Sequence, residues 1–279
     1  MIRRMFRRGA ASVLLLACAA CSVAPPPLPA DAPLDAVLAR HGEAATVPAE
    51  PVDSRPSPLE VVLVRDRHFA GDGITYVDEG LRAVQREHRR LLDDLVGRGF
   101  RLLAVEWRKG PLPGDDDPLA AAHRDAVRRA LETGDDLDRW SIYQPIRYEM
   151  ELAGRAVVVG VEDPELYDAD VAALERLLDL ARASRLDEGT DGGARDAGRL
   201  AERARIRRAM RLRIAPRGRA VARNLLLAME AYDARRAVLL VGAAHVPAAS
   251  AELAARGVPH RVFTTRSFAK REDSAPVRP

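Results

Sequence analysis

Ala237-Val238-Leu239-Leu240-Val241-Gly242-Ala243-Ala244-His245 is a short buried strand that ends in three small residues and an imidazole. Three other runs share that form. Val61-Val62-Leu63-Val64 leads into Arg65-Asp66-Arg67-His68, Leu102-Leu103-Ala104-Val105 stops at Glu106, and Val157-Val158-Val159-Gly160-Val161 stops at Glu162-Asp163. Continuous β-branched runs separated by helical stretches read as parallel strands buried on both faces. The expected fold is α/β, a mostly parallel sheet with helices on both faces. In such sheets ligands bind outside the carboxyl ends of the strands. His68, Glu106, Glu162 and His245 are therefore expected at one edge, although far apart in sequence.

Between the runs, apolar spacing near 3.6 predicts a helix over 78–96, ended by Gly97 and Gly99. Further helices are expected over 118–131, over 138–152 with a break at Pro145, and from Pro164 to about Ser184. A long Arg-rich helical stretch over 195–232 is expected to break at Pro216-Arg217-Gly218, because proline removes a helical N–H. Its arginines read mostly as a solvated face, with one or two near Pro216 turned to the site to hold an anion. A short helix over 248–255 and a fifth strand over 259–264 complete the domain.

The ends of the chain differ from this core. Arg3, Arg4, Arg7 and Arg8 precede a short apolar run from Ala10 to Ala17, too short to span a bilayer. The run leads to Cys18 and Cys21, the two cysteines of the chain. The segment resembles a bacterial lipoprotein signal, in which a cysteine after small residues is lipidated. Leu15 lies three residues before Cys18, and Ala19-Ala20 directly precede Cys21, so either fits. The expectation is export and a lipid anchor in the cell envelope membrane. The folded part then has no thiol nucleophile. Net charge is +3 overall, and removal of the four leader arginines leaves −1. A high precursor pI is no argument for nucleic acid, and none is expected as a partner. Residues 22–58 are rich in Pro and Ala and read as a tether, on the order of 100 Å long if extended at ~3.1 Å per residue. A short helix near 34–39 fits within it, and His41 there is expected to be solvated. Residues 59–268 form one expected domain, and 269–279 a disordered tail.

Among the candidate residues, the two histidines at equivalent strand ends reinforce each other. Glu106 is a candidate general base or metal ligand. Glu162 is a candidate ligand or second base, whereas Asp163 before Pro164 suits a helix cap. The run Asp115-Asp116-Asp117 reads as a solvated helix start. His88, His123 and His260 read as structural or surface residues. No Gly-rich nucleotide loop and no Gly-x-Ser-x-Gly elbow follows any strand, which disfavours a serine hydrolase.

These residues resemble the TIKI/TraB superfamily, which takes in erythromycin-esterase-like proteins and ChaN-like haem-binding lipoproteins. That group is marked by two Gly-x-x-His motifs with a Glu on the strand between. Gly242-Ala243-Ala244-His245 matches the second motif, and Glu106 in Leu103-Ala104-Val105-Glu106-Trp107 matches the Glu. Arg65-Asp66-Arg67-His68 matches the first motif at its His alone, since Arg65 stands where Gly is expected. The Gln85 and His88 region resembles the helix that follows. Trp140-Ser141-Ile142-Tyr143-Gln144-Pro145-Ile146 is similar to a segment of the ChaN-like branch, and Arg217 with Asn224 to an Arg of TraB-like members. The resemblance implies a hydrolase acting on a peptide or small-molecule substrate. His68 and His245 would bind a divalent metal, Glu106 and Glu162 would act on water, and Arg217 would steady an oxyanion. Two alternatives stand behind that leading reading. One is a haem or iron binder with Tyr143 as ligand. The other is a non-catalytic scaffold, for which Arg65 speaks.

Overall fold

A computed structural model describes residues 29, 31–48, 58–66, 79–134, 144–186 and 193–269. The apolar runs form strands β2 (Glu60–Asp66), β3 (Leu102–Arg108), β5 (Val157–Glu162), β6 (Arg236–Gly242) and β7 (His260–Thr265). Two further strands, β1 (Gly42–Val47) and β4 (Gly110–Pro111), complete one sheet in the order β1-β7-β2-β6-β3-β5-β4. The five central strands are parallel, and the two edge strands run antiparallel to their neighbours.

Period-two alternation divides each central strand between two cores. Val62, Val64, Leu103, Val105, Leu240 and Phe263 face helices α1 (Leu34–His41), α2 (Glu79–Val96), α3 (Pro118–Thr133) and α4 (Gln144–Glu151). Val61, Leu63, Ala104, Val161, Leu239 and Val241 face α6 (Gly193–Ala231) and α7 (Val246–Ala255). Helix α5 (Pro164–Leu186) packs along α6. The expected α/β fold with helices on both faces is therefore observed.

Several expectations are corrected. Residues 34–47 are not tether. Val37 and Leu38 are fully buried in the first core, and β1 pairs with β7 from Gly42↔Thr265 to Val47↔His260. His41 is not solvated, since its Nε2 lies 2.7 Å from Asp94 Oδ2. Helix α6 is not broken at Pro216 and runs 39 residues through it. The proline forfeits a bond to the carbonyl of Leu212, a residue that is 71 % exposed, so the helical donor is lost on an exposed turn rather than in the core. The leader with Cys18 and Cys21 lies outside the described residues, as do the tail after 269, His68 and Tyr143. Among the described residues no helix is long and apolar enough to cross a membrane.

Chain order sets where a site can form. From β3 the chain moves outward to β5 through helices on the first face, whereas from β6 it moves the other way to β7 through α7. The carboxyl ends of β6 and β3 are neighbours whose following segments diverge. Such a switch point is where ligands bind in doubly wound sheets.

Candidate functional site

Glu106, Glu162 and His245 meet at these strand ends, with one ligand atom from each lying within 4.8 Å of the others. The triad is close enough to bind a metal ion. Three strand ends supply it, as the sequence led us to expect.

Each side chain is aimed by its local backbone. The β3–β5 register shifts between Val105 and Arg108, and the irregularity re-aims Glu106. Its Oε2 accepts the Gly242 N–H at 2.5 Å. A Cβ on Gly242 would stand 3.0 Å from that same oxygen, so glycine is what lets the carboxylate close on the backbone. Glu162 is fully buried at the end of β5, a strand end also held by Asn224 Nδ2 donating to Val161 O at 3.0 Å. His245 precedes α7, and its Nδ1 lies 3.0 Å from Ile214 O on α6. A carbonyl only accepts, so Nδ1 carries a proton, and Nε2 is the ring atom turned to Glu106, 3.5 Å from its Oε1. An imidazole nitrogen and a carboxylate oxygen so placed are donor types that a first-row divalent ion accepts.

Arg217 binds the acids together. Its Nη2 donates to Glu162 Oε1 at 2.5 Å and its Nε to Oε2 at 3.2 Å, a two-pronged fork. Its Nη1 donates to Asp170 on α5, and Glu106 Oε1 lies 3.6 Å from Nη2. Arg213, one turn earlier, reaches the other Asp170 oxygen at 2.6 Å. Burial opposes the Arg217 charge, but the paired carboxylates outweigh it and raise its pKa. Arg217 thus ties the carboxylates together through its Nε, Nη1 and Nη2. Asp170 was missed in the sequence. Three carboxylates against two guanidiniums leave this group one negative charge in excess, which again suits a cation or a proton.

Burial pushes the Glu162 carboxyl up to about 7, the Glu106 charge adds to the rise, and the Arg217 fork opposes it. A raised carboxyl holds a proton in the folded state that the unfolded chain, with its ordinary value of 4.5, has released. Its contribution is fully present below about 4.5 and is lost as pH rises through 7. Melts in chelator should therefore show stability falling between these limits by on the order of 3 kcal/mol. Glu162→Gln should flatten that slope, and an equally steep slope in the variant would refute the assignment.

The remaining candidates separate from the site. Asp163 caps α5, accepting the Glu165 and Leu166 N–H groups at 3.1 Å each. Asp117 caps α3 through the Ala120 N–H. His88, His123 and His260 are buried away from the triad, as structural residues. Arg65 stacks on Phe268, its guanidinium carbon 5.1 Å from the ring centroid. It lines a cavity of about 360 Å³ together with residues of β1 and β7 and with Ala243 and Val246, which flank His245. In comparisons with family models, curated proteins and solved structures, the chain matches none.

Proposed function

We propose that the chain is a metal-dependent hydrolase of esters or amides, of the TIKI/TraB type that its strand-end motifs resemble. The observation that carries this is the meeting of His245, Glu106 and Glu162 ligand atoms within 4.8 Å of one another, with His245 Nε2 3.5 Å from Glu106 Oε1 and the two side chains fixed by the Ile214 carbonyl and the Gly242 N–H. An imidazole oriented through its other nitrogen and a carboxylate anchored by the backbone make a donor set suited to a first-row divalent ion. When bound, such an ion supplies Lewis acidity toward a water or a carbonyl oxygen.

The residues divide the rest of the work. His245 and Glu106 hold the ion. Glu162, with its carboxyl near 7, accepts the proton of the attacking water as the new C–O bond forms. It returns that proton to the leaving oxygen or nitrogen as the scissile bond breaks. Arg217 keeps Glu162 oriented and offsets the acids between turnovers. Relative to the sequence reading, Glu106 becomes the ligand and Glu162 the base, because burial sets the Glu162 carboxyl near 7, where it can take up and return a proton. Lipidation at Cys18 or Cys21 would tie this domain to a membrane of the cell envelope.

The test is zinc and manganese titration by calorimetry, with metal analysis of the purified chain. Wild type should bind about one ion per chain. His245→Ala should weaken binding at least a hundredfold, about 3 kcal/mol, and abolish hydrolysis of ester and peptide panels. Equal metal binding by wild type and His245→Ala would overturn the proposal. So would a metal-loaded protein inert toward both panels.

A further inference from the structure

The amino-terminal half of α6 does not cover the sheet. Burial against the strands begins near Ala220, and the preceding turns pack on α5 as a two-helix arm. Three polar contacts join the arm to α5. Arg176 binds Glu202, Arg213 binds Asp170, and Arg199 donates to Ala183 O. The other side is different. From 200 to 219 the exposed residues are five arginines, two leucines and three alanines, with no acid and no aromatic ring. Arg205, Arg208, Arg211 and Arg219 are exposed, and of the four Arg205 acts electrostatically on Glu202. Leu200 and Leu212, 62 % and 71 % exposed, are the two most exposed large hydrophobic side chains among the described residues. At 1.5 Å per residue the stripe is roughly 29 Å long.

We propose that this stripe docks the protein on an anionic lipid bilayer, with the α5–α6 arm lying on the head groups. Charge alone would suit any polyanion. The two leucines favour a surface with an apolar layer beneath the phosphates, where cations and leucines on one helix both find partners. A nucleic acid would leave the leucines in water, and the stripe offers no ring on which bases stack. A second copy of the chain would set arginine against arginine. Because Arg213 and Arg217 on the same helix fasten Asp170 and Glu162, docking would hold the strand-end triad near the membrane surface. The inference does not depend on that triad being catalytic.

The experiment is vesicle flotation of the full chain carrying Cys18→Ser and Cys21→Ser, so that no acyl chain contributes. Vesicles with roughly 30 % phosphatidylglycerol should bind at least tenfold more tightly than neutral phosphatidylcholine vesicles, and ~0.5 M salt should remove the difference. Arg205→Gln, Arg208→Gln, Arg211→Gln and Arg219→Gln together should abolish the preference, with helicity by circular dichroism unchanged. The same four positions as lysine should retain it. Loss of helicity in the glutamine variant would shift the decision to Leu212→Gln, which should weaken binding severalfold. No preference for anionic vesicles would overturn the proposal, and so would a preference that survives the glutamine variant with helicity intact. Tighter binding to a DNA duplex than to the vesicles would assign the stripe to nucleic acid instead.

Discussion

Arg217→Met should lower the melting temperature of the metal-free protein by roughly 10 °C at neutral pH. The guanidinium is 13 % exposed and touches Glu162, Asp170 and Glu106. Taking it away leaves acids facing one another across a largely buried space. Removing one partner of a buried ion pair costs ~3–5 kcal/mol, and in a domain of this size each kcal/mol is worth about 2–4 °C. The loss should shrink toward pH 5, where Glu162 takes up its proton and the repulsion eases. Arg217→Lys should recover part of the loss at most, because a single ammonium cannot make the fork to Glu162 and reach Asp170 as well. Arg219→Met, two residues on and exposed, should shift the melt by less than about 0.5 kcal/mol. Thermal melts of the three variants would decide. Equal melting of Arg217→Met and Arg219→Met would show that Arg217 does not organise the acids.

The same cluster shows what the sequence discloses and what it does not. Glu106, Glu162 and His245 were legible because each ends an apolar run, and parallel strands bring their carboxyl ends to one edge whatever the intervening chain. Asp170 was not legible, because it lies in an acidic stretch of α5 with no periodic mark. The one available signal was on the partner helix. Arg213 and Arg217 are four apart, hence on one face, and two buried guanidiniums need a facing carboxylate. Strand β1 was hidden for a different reason. Gly42-Glu43-Ala44-Ala45-Thr46-Val47 is mostly exposed and pairs on one side, so β7 rather than local propensity makes it a strand. Its proline-rich surroundings then read as tether. Strand β4 has two residues and no pattern to read. At Pro216 the local rule lost to context, because the carbonyl it orphans belongs to an exposed turn while the flanking residues are fixed by α5 and α7.

Gly218 yields the second large effect, and it runs opposite to helix propensity. An alanine in a helix interior is favoured over glycine by about 1 kcal/mol. Gly198, on the exposed part of α6, has nothing within 4 Å of a built Cβ, so Gly198→Ala should stabilise by roughly that amount. At Gly218 a Cβ would meet His245 O at 2.5 Å and Ala248 Cβ at 2.9 Å. The first of these is backbone in the turn that opens α7, so no rotamer change relieves it. The helices must part, and they part at the point where Ile214 O fixes His245 Nδ1. Gly218→Ala should therefore destabilise by ~1–3 kcal/mol net, and Gly218→Val by more, since two further methyl groups enter the same gap. Separation of α6 from α7 also swings the imidazole from Glu106, so metal affinity should fall in step with stability. Chemical denaturation of Gly198→Ala and Gly218→Ala gives a direct comparison, because the two substitutions are identical in chemistry and lie in one helix. Opposite signs follow if the close α6–α7 approach builds the site. Equal stabilisation by both would mean that α7 can retreat at no cost, and that His245 is not held where its tautomer and its aim depend on Ile214.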